Sequence, residues 1–242
     1  MDTWVIILRN NGSLSTQCER LAREVVAPSH ILTVGPETAL WRAPGARVGR
    51  PEDRGTTPDL LLGLFQVLAR DLSATVVVLP ADLDVPSDVA LGEAIEAALI
   101  ACDEGAGQTI LIATEPSDDG QPRGPLTPRR RVLSIRDTEE QSNEGLGYGV
   151  YVDTSIIVAQ AWSLANLVHD RVPAWFRALR RVVWTPEIIA EAFERLGPSD
   201  LVNDVLVPSV DHLHVVPAFR GWRPLPAWRH PSRIPLNIEA ME

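Results

Sequence analysis

The chain has 242 residues, of which 45% are hydrophobic, 20 are Pro and 16 are Gly. This length fits one large domain or two small ones, with a substantial core and many turns. The formal net charge of -10 excludes the broad basic surfaces that bind nucleic acids and anionic membranes, so we expect neither as a partner.

The sequence also indicates where the protein is located. No segment approaches the ~20 apolar residues that a membrane span requires. The N-terminal sequence MDTWVIILRNN lacks a basic start and a small-residue cleavage site, so it predicts a first strand and not a signal peptide. Cys18 and Cys102 are too few for a disulfide framework. We therefore expect a cytoplasmic protein with reduced thiols.

Strand and helix patterns alternate along the chain, which predicts βαβ units and a mostly parallel sheet. The predicted strands are residues 3–8, 30–34, 75–79, 109–113, 131–135, 147–152 and 213–216. The predicted helices are residues 14–26, 58–68, 88–101, 155–168, 173–182 and 186–196. The predicted N-caps are Ser13, Thr57, Ser87 and Thr185.

The remaining segments predict loops and an irregular tail. Residues 117–131 are polar and rich in Gly and Pro, and the Arg129–Arg131 run within them predicts a solvated loop. Further Pro breaks follow Pro224. Because no linker marks a boundary, we expect a single domain over residues 1–242, with an irregular tail from about residue 224.

The segment from Arg50 to Val85 carries the strongest pattern. A turn, RGTTP, leads into an apolar-faced helix, and a β-branched strand then ends at VLPAD. The strand lacks polar alternation, as expected for one covered on both faces. Asp82 comes just after its carboxyl end, where open α/β sheets place their ligands.

These motifs and the order of elements resemble the sugar nucleotidyltransferases, and among them the mannose-1-phosphate guanylyltransferase group. Arg54 and Thr56 lie in RGTTP, which is similar to that group's Arg-Asn-Thr-Ala-Pro segment with Gly55 in place of Asn. Residues 79–82 match its Leu-Pro-Ala-Asp segment, and Leu83 stands in place of the following His. Weaker similarities occur at residues 149–151 and 215–228.

The resemblance implies a Rossmann-like nucleotidyltransferase fold with a mixed, mostly parallel sheet, here without the C-terminal β-helix that the family often appends. It also implies a reaction in which a sugar 1-phosphate oxygen attacks the α-phosphorus of a nucleoside triphosphate and pyrophosphate leaves. Backbone amides, cations and Mg²⁺ neutralise the charge of such a reaction.

Several parts of that machinery depart from the family pattern. Only Arg9–Ser13 lie between the first strand and the next helix, which is too short for the family's Gly-rich loop and its Lys segment. The second metal-binding Asp falls at Pro224, the Glu-Lys pair falls near Asp137, and the sugar-side Asn falls near Gly147. All 22 basic residues are Arg, so no Lys is available anywhere in the chain. Loss of one electrostatic donor commonly costs about 10²–10³ in rate.

The sequence therefore predicts a catalytically degenerate relative that acts as a binding or regulatory partner, with a protein partner or an active sister subunit and with GTP as a candidate ligand. The alternatives are an active sugar-phosphate nucleotidyltransferase with a rebuilt Mg²⁺ site, in which Arg54, Arg123 or Arg220 supplies positive charge, and an interaction module without a pocket.

The candidate site residues have two readings each. Asp82 keeps the first metal position, or it caps the loop after its strand. Arg54 and Thr56 contact the nucleotide, or they form the turn and cap that start the helix. Residues 9–13 approach a helix N-terminus, which attracts anions, or they form an ordinary turn.

Two further groups of side chains have either a structural role or a functional one. His212 and His214, next to Asp211, are spaced so that both side chains lie on one face of a strand. This spacing fits a half-exposed strand or a weak metal site. Five Trp residues lie in the second half and belong to the core, unless several are exposed together as a partner surface: Trp162, Trp175, Trp184, Trp222 and Trp228.

Overall fold

The structure is a computed structural model that describes residues 2–9, 14–37, 43–83, 88–105, 107–114, 132–135, 149–180, 185–218 and 236–239. Within these ranges lie nine strands: β1 (Thr3–Leu8), β2 (Ile31–Pro36), β3 (Ala46–Arg50), β4 (Thr75–Pro80), β5 (Thr109–Thr114), β6 (Val132–Ile135), β7 (Gly149–Gln160), β8 (Leu213–Ala218) and β9 (Leu236–Glu239). The α-helices in the same ranges are α1 (Thr16–Val25), α2 (Thr56–Leu68), α3 (Asp88–Glu104), α4 (Ala161–Arg171), α5 (Pro173–Leu179) and α6 (Pro186–Arg195). A π-helical turn spans Leu201–Leu206.

The sheet is mixed and mostly parallel, as predicted. Its main path has the order β3-β2-β1-β4-β7-β5-β8, and β6 and β9 extend it beside β7. In the main path β7 alone is antiparallel to its neighbours, so the carboxyl ends of the other six strands lie at one edge. The described part of the chain contains no β-helix.

Helices cover both faces of the sheet. Trp4, Ile6 and Leu8 of β1 pack with α2, α4 and α5 on one face. Val5 and Ile7 pack with α1 and α3 on the other face. This alternation follows from the two-residue period of a strand, and it explains why β1 and β4 are apolar throughout.

The prediction of a helix at 155–168 is wrong for its first six residues. β7 continues to Gln160, and α4 begins only at Ala161. The run from Ile156 to Ala159 is fully buried between β4 and β5. A short apolar run of this kind has no period that separates a buried strand from a buried helix.

Two strands were not predicted. β3 follows a Pro and Gly turn and lies at the edge of the sheet, where only pairing with β2 identifies it. β9 lies in the tail that the Pro breaks predicted to be irregular, and it pairs with β6. Both strands are short, and their strand state depends on a partner that is remote in sequence.

The N-caps are partly different from those predicted. The cap of α1 is Ser15, whose Oγ accepts the Cys18 amide at 3.0 Å, and not Ser13. Gly55 with φ of 92° precedes α2, so Thr57 lies inside the helix and does not cap it. Thr185 caps α6 as predicted. Ser87 lies outside the described residues.

We predict that Gly55→Ala destabilises the fold by roughly 1–3 kcal/mol, because a side chain strains a positive φ and its Cβ collides with the Ser199 carbonyl oxygen. Gly92→Ala is the matched control. It lies in α3 with no atom within 4 Å of the added Cβ, so this change stabilises the helix by about 1 kcal/mol. Chemical denaturation of both variants measures the difference. Equal midpoints would contradict the prediction.

Candidate functional site at the carboxyl edge of the sheet

Asp82 lies at the carboxyl edge, directly after β4, and its side chain is half-buried. The Ala81 amide donates to the Leu8 carbonyl at 3.0 Å, and the Ser15 amide donates to the Ala81 carbonyl at 2.8 Å. These bonds hold the start of α1 against the end of β4. Asp82 is therefore placed beside the first turn of α1.

The charge of Asp82 acts on that helix turn. Burial, followed by the charges of Asp82 and Glu19, raises the pKa of the Cys18 thiol to about 12. Cys18 is the third residue of α1, so the Asp82 carboxylate is close to the positive end of the helix dipole, where an anion is stabilised. The two readings of Asp82, as a cap of the loop after its strand and as a metal ligand, both stay predictions.

The pairing of β4 with β7 ends before β4 reaches Asp82. The last pair is Val78 with Ile157, although both strands continue beyond this point. β7 then follows β5, and Thr154 and Ser155 form a bulge between two pairing registers. Ligands of open α/β sheets bind in a crevice outside the strand ends.

The bulge itself has the features of a functional segment. Ser155 is exposed and has a φ of 59°, which is unusual for a residue other than Gly. The Thr154 hydroxyl holds the bulge by donating to the Ile112 carbonyl at 2.7 Å. Bulges and strained backbones are common beside active sites. Thr154 and Ser155 were not among the predicted candidates because a helix was predicted from residue 155, although the polar pair beside an apolar run is visible in the sequence.

The side-chain hydrogen-bond and ion-pair partners of Arg54 and Thr56 do not include Asp82. They follow β3, and β3 is separated from β4 by three strand spacings, or about 14 Å. The two motifs that resemble one family's site therefore lie at different points of the same edge.

The Thr56 hydroxyl is engaged by the chain itself. It accepts the Leu201 amide at 2.8 Å and donates to Asp200 Oδ2 at 3.3 Å. The Thr57 amide, in the first turn of α2, donates to the Ser199 carbonyl at 3.2 Å. Residues 199–201 thus occupy the helix N-terminus, and we call this contact the 199–201 clasp.

Arg54 has both a side-chain and a backbone partner. Its Nε donates to Glu52 Oε1 at 2.7 Å, and its carbonyl accepts the Ser199 amide at 2.8 Å. Its guanidinium is therefore already paired with a neighbouring carboxylate. The nucleotide-binding role of Arg54 and Thr56 stays a prediction.

A buried ion pair lies behind this turn. Arg50 Nη1 donates to Asp59 Oδ2 at 2.7 Å, and each of the two side chains is only 1% exposed. Burial raises the pKa of Asp59 to about 7, the Arg50 charge opposes this rise, and the Asp53 charge adds to it. Since the ordinary value is 3.8, Asp59 stabilises the fold fully below that pH, and this stabilisation is lost as the pH rises through about 7.

The remaining candidates are not assembled into a site by the described residues. The strand predicted at 213–216 is confirmed as β8, but the half-exposed reading of the stretch from Asp211 to His214 is wrong, because Leu213 and His214 are both buried. His212 is exposed and His214 is buried on the adjoining strand. Among the residues that the structure describes, no group of three or more His, Cys, Asp or Glu could hold a metal ion.

The Trp residues were predicted to belong mostly to the core. Trp175 is buried and its Nε1 donates to the Gly197 carbonyl at 3.0 Å, whereas Trp162 is 46% exposed. Several of the predicted positions lie outside the described residues: 10–13, 123, 129–131, 137, 147, 184, 220, 222, 224 and 228. In the described ranges, no helix is long and apolar enough to cross a membrane.

Comparison with known proteins supports the fold. No protein-family model and no curated protein matches the sequence. A structure described as a mannose-1-phosphate geranyltransferase from Thermus thermophilus superposes with a TM-score of 0.65 at 18% identity, covering 92% of this chain and 76% of that one. One described as a mannose-6-phosphate isomerase from Helicobacter pylori has a TM-score of 0.65 at 13% identity, covering 93% and 100%.

A third structure, a putative glucose-1-phosphate thymidylyltransferase from Bacillus anthracis, has a TM-score of 0.43 at 13% identity, covering 82% and 86%, and is too distant to add to this. At such identities the first two matches concern the fold alone. The predicted α/β nucleotidyltransferase fold is confirmed: the chain has a sugar nucleotidyltransferase-like fold.

We predict that Thr56→Val destabilises the protein by about 1–3 kcal/mol, because it removes both clasp bonds of the hydroxyl and leaves the Leu201 amide without its acceptor. Thr56→Ser keeps the hydroxyl and is the matched control, with a loss below about 1 kcal/mol. Urea denaturation measures both values. If the two variants lose equal stability, the Thr56 hydroxyl does not stabilise the protein through the clasp.

Proposed function

We propose that this chain is a catalytically degenerate protein of the sugar nucleotidyltransferase fold that acts as a binding or regulatory partner of another protein, with an active sister subunit as the preferred partner. The observation that carries the proposal is the 199–201 clasp. The Thr56 hydroxyl and the Thr57 amide, which would face an anionic ligand at the α2 N-terminus, are bonded to Asp200, Leu201 and Ser199 instead.

The charges near the two motifs support the same proposal. Arg54 is paired with Glu52, and Asp82 is placed beside the α1 N-terminus. The chain has a net charge of -10 and no Lys to neutralise a triphosphate. Phosphoryl transfer depends on such neutralisation, so these features oppose turnover while leaving the scaffold intact.

The proposal predicts that the protein releases pyrophosphate from GTP, mannose 1-phosphate and Mg²⁺ only at the background rate. A coupled pyrophosphate assay measures this, with an active guanylyltransferase as the positive control. Asp82→Ala should leave the rate unchanged. Turnover above background that disappears in Asp82→Ala would show that the protein is an enzyme.

The regulatory role needs a separate test. Co-purification from the native lysate identifies the partner, and light scattering of the remixed pair establishes the stoichiometry. A change in the partner's own rate of pyrophosphate release on mixing supports regulation. A protein that stays monomeric and leaves that rate unchanged does not have this role.

The separation of β7 from β4 near the carboxyl edge favours a second candidate function, an active sugar-phosphate nucleotidyltransferase with a rebuilt site. Asp82 and the strained Ser155 border the point where β4 and β7 separate. In this case Asp82 would hold Mg²⁺ together with substrate phosphates, since one carboxylate holds this ion weakly.

The second candidate predicts Mg²⁺-dependent binding of GTP. Calorimetric titration with GTP, with and without Mg²⁺, measures this binding. Asp82→Asn should abolish the Mg²⁺-dependent part, and the exposed Asp170→Asn, on α4, serves as the matched control. If the titration is flat at about millimolar GTP, this candidate is excluded. A dissociation constant in that range corresponds to a binding free energy of only about 4 kcal/mol.

A further inference from the structure

The guanidinium of Arg50 is shared by two carboxylates of different exposure. Its Nη1 donates to Asp59 Oδ2 at 2.7 Å and to Asp53 Oδ1 at 3.2 Å. The Asp59 side chain is 1% exposed, whereas the Asp53 side chain is 52% exposed. One cation therefore connects the interior of the protein to the solvent-facing turn.

Asp53 also fixes that turn. Its Oδ1 accepts the Gly55 amide at 3.0 Å in addition to the Arg50 bond. Gly55 has a positive φ and precedes the first residue of α2. The conformation of residues 51–55, which include Arg54, is thus coupled to the position of the Asp53 carboxylate.

The buried pair is incompletely hydrogen-bonded. Arg50 Nε and Nη2 and Asp59 Oδ1 are buried and make no hydrogen bond with any residue that the structure describes. A buried carboxylate with one unsatisfied oxygen loses much of what stabilises its charge. The unsatisfied Oδ1 therefore removes part of what stabilises the ionised form of Asp59.

The surrounding elements contribute few other charges to this site. The strands β1 and β2, which pack on α2, carry no charged side chain, and Arg47 of β3 is exposed. The charged or titratable groups on the other elements packed against α2 are His169, Asp170, Arg171, Arg177, Asp204 and the Asp200 cap. The charges that act on the Asp59 carboxyl are those of Arg50 and Asp53.

We propose that Arg50, Asp53 and Asp59 form a proton-linked latch, in which protonation of Asp59 transfers the pairing of Arg50 to Asp53 and thereby holds the 51–55 turn. When Asp59 loses its proton, it competes for Arg50 and the Asp53 contact weakens. The raised pKa of Asp59, about 7, places this exchange in the neutral range. The latch is independent of the function proposed above.

The test is a carbon-13 NMR titration of the protein labelled at its Asp carboxyl carbons, from about pH 5 to about pH 9. The Asp59 carboxyl should titrate with a midpoint near 7. After correction for intrinsic base catalysis, the Gly55 amide should exchange roughly fivefold faster above that midpoint than below it, as expected for one weakened hydrogen bond.

Two variants separate the latch from a merely structural pair. Asp53→Asn should lower the Asp59 midpoint, since the Asp53 charge no longer raises it, and Gly55 exchange should lose its dependence on that midpoint. Asp59→Asn mimics the protonated form and should keep Gly55 protected at every pH. If Asp59→Asn does not fold, the wild-type protein and Asp53→Asn, which alters a half-exposed side chain, still decide the question.

The latch is overturned if Asp59 is ionised throughout the titration, if Gly55 exchange does not change at its midpoint, or if Asp53→Asn alters neither quantity.

Discussion

The pairing of β7 with both β4 and β5 is the constraint on which the rest of the structure depends. The parallel group β3-β2-β1-β4 and the parallel pair β5-β8 are joined within the main path only through β7. Because β7 is antiparallel to both neighbours, all the other main-path strands end at one edge. The same strand therefore joins the two parts of the sheet and defines the edge where a ligand would bind.

The bulge of β7 follows from this double role. Alongside the amino end of β4, β7 pairs with both β4 and β5. Beyond Ile157, towards its own amino end, β7 still pairs with β5 but no longer with β4. The two registers differ, and Thr154 and Ser155 absorb the difference. As a result β4 continues to Pro80 without pairing with β7, whose residues 149–152 pair with β6.

The opposite end of this edge is closed by the chain itself. The 199–201 clasp covers the start of α2, and the buried Arg50–Asp59 pair lies beneath the turn that precedes it. An anion site and a clasp compete for the same amides, so a helix N-terminus can serve only one of them at a time. The closed start of α2 is the physical basis of the proposed loss of transfer chemistry.

The local pattern of the sequence was sufficient for much of the fold. β1, β4 and β5 were predicted because short runs rich in β-branched residues and bounded by turn residues are typical of strands covered on both faces. Asp82 was placed correctly at a strand end for the same reason. The sequence also determined that any basic side chain in a site must come from Arg or His, because the chain contains no Lys.

Other features were decided only by tertiary structure. The strand state of residues 155–160 and of β3 depends on hydrogen bonds to partners remote in sequence, which no local period reports. The role of the Thr56 hydroxyl depends on its bonds to Asp200 and Leu201, which lie 144 and 145 positions further along the chain. The sequence thus determined which residues are available, but only the folded chain decided which of them meet, because hydrogen bonds and burial are set by distance in space and not along the chain.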